Sequence, residues 1–454
     1  MNRIFVLVLL IASSVARAAP EIRQTTLPNG LTVIVAEDHA LPLVTVEIAA
    51  RNGAMTESPA YNGLSHLYEH MFFKANAVLP TQEAYMARLR ELGMIWNGTT
   101  DTERVNYFFT TTSDHLDDAM AFMRDAIVSP RFDAKELDRE RVVVTGELDR
   151  NESNPGYYLW HETEKRLWWK YPSYKDPLGS RQTVLKATVA QMSTIQHRYY
   201  VPNNSALVVT GDVKAADIFA AATKLYVGWK RGEDPFVKHP LVKHPPLPKS
   251  EVVLIEKPVE NVSGTFEWHG PSSTGPSAAV SYAADVAGTV MLEPSAQFQR
   301  DLVDSGACVY ARFFWLTQVN TGPINLAWEA SPQKADSCVR AILGELTKLR
   351  APGYFSDEEI ADAKHHLTVE QALDREKPSE LAHTLTFWWT SAGLDYYHGY
   401  LERVNAVQRA DIAKFVDGFL TQKPFVLGVM VSPDMAKDQH LDQAHFETVA
   451  EVRK

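Results

Sequence analysis

Cysteine is almost missing from the chain: among 454 residues only Cys308 and Cys338 occur. Two thiols exclude a disulfide framework and leave room for one bridge, which an exported chain could form by oxidising this pair. Positive charge is also in short supply, with 45 Lys and Arg against 56 Asp and Glu and a formal charge of −11. That balance disfavours nucleic acid and anionic membrane as partners. The apolar run at the start, Ile4 to Ala12, has nine residues, well short of the roughly 20 that cross a bilayer. It follows Arg3 and precedes an A-x-A pattern at Ala16 and Ala18, so residues 1–18 read as a cleaved secretory signal.

What is present is enough apolar residue, 45%, to fill more than one ordinary core, arranged in a pattern that occurs twice. NYFFTTT leads into Ser113 to Arg150 in the first half, and INLAWEA leads into Ser331 to Arg375 in the second. Each is a strand, a helix, a proline break, an acidic helix start and a second helix ending in LDR. The openings LTVIVAED and LVTVEIAAR likewise correspond to EVVLIEKP and VSGTFEWHG. Between the copies, five prolines in Glu233 to Ser250 predict an extended linker without regular structure. The expected organisation is an N-terminal domain over 19–232, a proline-rich linker over 233–250 and a homologous C-terminal domain over 251–454.

The first copy holds GLSHLYEHMFF, residues 63 to 73. In a helix His66 and His70 share one face a turn apart, the spacing at which two imidazoles reach one metal ion, and Glu69 lies beside them. The apolar residues around them predict a largely buried helix, where imidazoles without partners are costly. A chemically active zinc site needs a third protein ligand from elsewhere, and the helix from Asp138 to Arg150 offers Glu140 and Glu147, two turns apart. The second copy's counterpart, Ala278 to Ser295, contains no histidine.

With these residues the chain resembles the pitrilysin and insulinase class of zinc peptidases (M16), in its shorter, processing-peptidase-like branch. The inverted H-x-x-E-H motif stands as His66, Glu69 and His70; the distal glutamate ligand is Glu147, separated from His70 by 76 residues; and Glu140 matches the accessory glutamate of the catalytic set. Gly93 to Phe108 resembles the family's edge strand, with Asn97, Thr99 and Thr100 as substrate-binding candidates, and Tyr199 to Val213 its closing tyrosine, proline and glycine-aspartate. The resemblance implies an α+β fold of two homologous mixed α/β domains, of the LuxS/MPP-like metallohydrolase type, forming half of a clamshell. It implies one zinc ion per chain on His66, His70 and Glu147, and Glu69 as general base of a zinc metalloendopeptidase acting on peptides or unfolded segments. Together with the signal it implies a periplasmic location.

One departure from the family bears on partners. The family's second domain supplies an arginine and, seven residues later, a tyrosine that grip the peptide. Aligned through Gly306, those positions here are Leu302 and Val309, with Arg300 and Tyr310 nearby as substrate-binding candidates in a shifted register. The expectation is a heterodimer with a second M16-type subunit that contributes the pair. Two other readings stand beside the peptidase: a non-catalytic assembly subunit, and a maturation peptidase for one cofactor-precursor peptide. Glu69, which binds no metal, would be unneeded in the former.

Other features are less specific. The aromatic run Gly156 to Lys170 fits core packing, a peptide cleft or a partner surface. His239 and His244 read as solvated, His365 and His366 as surface residues, and Thr386 to Tyr400 as core, interface or pocket.

Overall fold

The computed structural model describes residues 21–452; the expected signal, residues 1–18, lies outside them. Two sheets carry the architecture. The first comprises β1 (Ile22–Thr26), β2 (Thr32–Glu37), β3 (Leu43–Ala50), β4 (Ile95–Thr100), β5 (Val105–Thr112) and β6 (Ser205–Gly211), in the order β1-β2-β6-β3-β5-β4. The second comprises β7 (Glu251–Glu256), β8 (Val262–His269), β9 (Tyr310–Trp315), β10 (Pro323–Ala330) and β11 (Val426–Val431), in the order β7-β11-β8-β10-β9. Apart from β1 the two orders correspond strand for strand. In each, one parallel pair (β2 with β6, β7 with β11) sits beside antiparallel neighbours, so the duplication seen in the sequence is a duplication of topology. β4 and β9 are the matching free edges.

The central strands explain the burial pattern. Every residue of β6 and of β11 is buried, as required of strands covered on both faces. The covering helices are exchanged between halves. Helix Pro155–Leu167, from the first half, packs on β7, β8 and β11, joining Leu167 to Val253, Ile255 and Val426. Helix Pro378–Ser391, from the second, packs on β3 and β6, placing Leu381, Leu385 and Trp389 against Ile34, Ala206 and Val208. Each such buried side chain contributes about 1.5–3 kcal/mol. The second helix also satisfies a buried carboxylate in mid-sheet: Glu47 Oε1 accepts from Thr386 Oγ1 at 2.6 Å and from Asn106 Nδ2 at 2.8 Å. The aromatic stretch Thr386 to Tyr400 thus divides, with Trp389 and Tyr397 at the interface between the two halves and Tyr396 and Tyr400 in the second core.

The ends of the two edges are held together by buried polar groups. Glu103, in the β4–β5 turn, accepts from Val319 N–H, and Lys175 Nζ donates to Thr321 O at 2.5 Å and to Gln318 Oε1. A disulfide joins Cys308 to Cys338 and ties the approach to β9 to helix Ala335–Lys348. Residues 233–250 hold one regular element, the helical turn Pro235–Lys238. Proline is tolerated there because it occupies the first helical position, where its missing N–H is no loss, and Asp234 caps Phe236 N–H at 2.9 Å. Among the described residues no helix is long and apolar enough to cross a membrane.

Candidate metal centre

Helix Leu64–Phe72 carries the H-x-x-E-H residues. Its start is fixed by Glu57, whose carboxyl oxygens accept from the otherwise unpaired N–H groups of Gly63 at 2.6 Å and Ser65 at 2.5 Å. Gly63 has φ +88°, and a Cβ on the facing Gly179 would stand 2.1 Å from Gly63 Cα, so two backbones cross here in contact. Leu64, Leu67, Tyr68, Met71 and Phe72 are buried. Tyr68 stacks on Tyr200 and Phe72 on Tyr107, with the two tyrosine hydroxyls of Tyr107 and Tyr200 at 2.9 Å. His66, Glu69 and His70 form the remaining, half-buried face.

Helix Ala134–Glu152 packs against that face. His66 Nε2 lies 3.3 Å from His70 Nε2; Glu147 Oε2 lies 3.4 Å from the first and 3.6 Å from the second. A tetrahedral zinc with ligands at about 2.0–2.1 Å sets its donors about 3.3–3.4 Å apart, which two edges of the triangle match and the third, at 3.6 Å, slightly exceeds. The three are the group of such donors that come together among the described residues. Glu69 is adjacent yet outside the triangle: its Oε2 accepts from Thr100 Oγ1 at 2.6 Å.

Glu140 supports rather than joins the set. Its Oε2 lies 3.1 Å from His70 Nδ1 and its Oε1 2.7 Å from Lys74 Nζ. An Nδ1–H donated to this carboxylate leaves the lone pair of His70 on Nε2, toward the triangle. Burial lowers the His66 pKa to about 4, with His70 adding to the effect, which keeps that imidazole neutral. For His70 burial acts downward, but the hydrogen bond to Glu140 and the charges of Glu147 and Glu69 outweigh it and raise the pKa. Burial raises the pKa of Glu69 against the opposing hydrogen bond from Thr100.

The other expected residues are distributed as follows. Thr100 faces the histidine helix, whereas Asn97 and Thr99 point to the exposed side of β4 and Asn97 Oδ1 accepts from Gly98 N–H. Arg300 donates to Ser295 O and Tyr310 opens β9 half-buried; Leu302 is fully buried and Val309 exposed. None of these four touches the triangle. The aromatic run divides: Leu167 and Trp168 are core, while Tyr157, Trp160 and His161 line a cavity of about 790 Å³ that reaches Leu148, next to Glu147. His244 corrects the sequence reading. It packs edge-on against Trp168, and burial lowers its pKa to about 3; His239, His365 and His366 are exposed as expected. Sequence reasoning missed Glu57, Lys74 and Gly98. Lys74, one turn past His70, was the one with a readable signal.

Known proteins share the family and the fold. A family model described as "Insulinase (Peptidase family M16)" matches residues 32–168 and one described as "Peptidase M16 inactive domain" matches 186–367. The probable mitochondrial-processing peptidase subunit beta of Arabidopsis thaliana is 26% identical over 261 residues, 57% of this chain and 49% of that protein. The zinc protease PqqE of Helicobacter pylori is 24% identical over 240 residues, 52% of this chain and 54% of that one. The match thus spans about half the length of these relatives. Among solved structures, a protease from Helicobacter pylori superimposes with TM-score 0.82 at 19% identity, covering 91% of this chain and all of that one. The periplasmic protease PqqL of Escherichia coli gives 0.77 at 16%, covering 96% of this chain and 50% of that one. Both show the fold: two mixed α/β halves forming half of a clamshell.

Proposed function

Because the chain belongs to the M16 (insulinase) peptidase family, we propose that it is a zinc endopeptidase that hydrolyses peptides or unfolded segments, with His66, His70 and Glu147 holding the ion. The observation that carries the reading is the triangle of two Nε2 atoms and one carboxylate oxygen, with a second carboxylate, Glu69, beside it and outside it. Zinc bound there lowers the pKa of a coordinated water and polarises a carbonyl. With the His70 Nδ1–H on Glu140, the His70 Nε2 turns a lone pair toward Glu147, and a cation among the three donors would offset the crowding of lone pairs.

Glu69 acts as general base. Thr100 holds its Oε2, leaving Oε1 to take the proton of the attacking water as the oxygen bonds to the scissile carbonyl carbon. When the C–N bond breaks, the same carboxyl returns that proton to the departing amine. Its raised pKa suits a group that must both accept and give a proton. Glu140, braced by Lys74, keeps the His70 ring oriented. Location in the periplasm is supported by the Escherichia coli protein described as periplasmic.

The test is paired metal analysis and peptide hydrolysis. His66→Ala, His70→Ala and Glu147→Ala should each lower zinc content. Glu69→Gln should keep zinc and lose activity by about a hundredfold to ten-thousandfold, and Glu140→Gln should weaken metal binding by about ten to a hundredfold. Stoichiometric zinc in Glu147→Ala would sink the ligand set, and full activity in Glu69→Gln would sink the base.

A further inference from the structure

The second half keeps a cavity where the first has its triangle. Helix Ala278–Leu292 faces β9 as the histidine helix faces β4, and the contact residues are exchanged. In the first half the strand carries glycine, Gly98, and the helix Glu69; in the second the helix carries Gly288, whose Cβ would meet Phe313 Cδ1 at 3.2 Å. With Gly288 at the place of Glu69, the same spacing puts Asp285 at that of His66 and Thr289 at that of His70. On helix Asp357–Leu373, which packs against it, Glu370 follows the capping Ser356 by the interval at which Glu147 follows the capping Asp133.

Asp285, Thr289 and Glu370 border a cavity of about 320 Å³ that opens to solvent and is lined also by Phe313, Phe314, Trp315, Glu293 and His366. Its charge is one-sided. Among the described residues no lysine or arginine lies within ion-pair distance of Asp285, Glu293 or Glu370; His366 Nδ1, 3.9 Å from Glu370 Oε1, is the sole approach. Asp285 is fixed in the aromatic wall by Trp315 Nε1–H at 2.7 Å and Tyr400 O–H at 2.8 Å. A carboxylate has about four acceptor positions, so two remain. Burial, less these two hydrogen bonds, raises its pKa to about 7, and a cation in the cavity would hold it ionised. A metal ion is the poorer occupant: the site has no cluster of three converging ligand atoms like that of the first half, and Thr289 replaces an imidazole. Aromatic faces beside uncompensated carboxylates complement an organic cation.

We propose that this cavity binds a basic side chain, a lysine ammonium or an arginine guanidinium, presented by a polypeptide. The inference is independent of zinc and of hydrolysis. The full chain labelled with [15N]tryptophan supplies the readout, since the Trp315 indole N–H points at Asp285 and its signal is identified by loss in Trp315→Phe. Titration with N-acetyl-arginine methylamide and N-acetyl-lysine methylamide should shift that signal saturably. The neutral isostere N-acetyl-citrulline methylamide should bind at least about tenfold more weakly. Glu370→Gln, at an exposed position that leaves the fold intact, should weaken the arginine response by about threefold to tenfold, while His66→Ala should leave it unchanged. An equal response to citrulline or to sodium chloride at matched ionic strength overturns the proposal. So does a response lost in His66→Ala, or no shift through concentrations that saturate a millimolar site.

Discussion

Gly98 and Glu69 share space that a strand side chain would fill: a Cβ on Gly98 would lie 2.8 Å from Glu69 Cγ and 3.0 Å from its Oε1. The glycine is needed for this close approach, because Gly98 lies on extended strand and its backbone conformation would admit any residue. Gly98→Ala should push Glu69 away from Thr100 without touching the triangle. Misplacing a reacting group by about 1 Å costs on the order of a hundredfold, so hydrolysis should fall by roughly ten to a hundredfold at full zinc content. Asn97→Ala, on the other face, should fall far less. Equal losses in the two variants would remove the assigned role of the glycine.

Glu57 links the site's scaffold to pH. Burial raises its pKa from 4.5 to about 8, against the two helix N–H groups that favour the charge. The folded chain therefore retains a proton that the unfolded chain releases between those values. Stability from this group is complete below about pH 4.5 and is lost as pH rises toward 8. In Glu57→Gln the single side-chain oxygen accepts from one of the two N–H groups, and nothing titrates. The Tm of chelator-treated protein should decline less between about pH 5 and 8 in the variant than in the parent; parallel declines would contradict the assignment.

Much of this site was legible because its spacing is local. His66, Glu69 and His70 fall on one helical face whatever surrounds them, and Glu140 and Glu147 are two turns apart on another. The duplicated strand order was legible for the same reason, since each copy repeats its own turn and helix signals. What escaped depends on contacts between distant segments. The exchange of covering helices, the burial of His244 on Trp168 and the crossing of Gly63 over Gly179 leave no periodic trace. The single turn at Pro235–Lys238 escapes because proline breaks a helix in its interior but not at its first position.

The bridge between Cys308 and Cys338 closes a loop across a separation of 30 residues within the second half. Loop-closure entropy assigns such a bridge about 3–4 kcal/mol. Cys308→Ala with Cys338→Ala should lower stability by about that amount while zinc content stays unchanged. Thiol titration of the parent, unfolded without reductant, should find no free thiol; two would end the assignment.

Leu302 is sealed in the second core and Val309, though exposed, has no polar side-chain atom, so neither can hydrogen-bond a peptide backbone through its side chain. Arg300 is turned to Ser295 O and Tyr310 lies on β9, away from the triangle. A second copy of the same chain would repeat the deficit. The Escherichia coli protein PqqL, of which this chain covers 50%, has about the length of two such chains. The isolated chain should therefore bind zinc yet cleave peptides slowly, and co-expression with a related subunit carrying arginine and tyrosine at the two positions should restore turnover. Full turnover from the isolated chain, unchanged in Arg300→Ala and Tyr310→Phe, would refute the need for a partner. Turnover lost in those variants would instead place the grip within this chain, in a register shifted from that of the family.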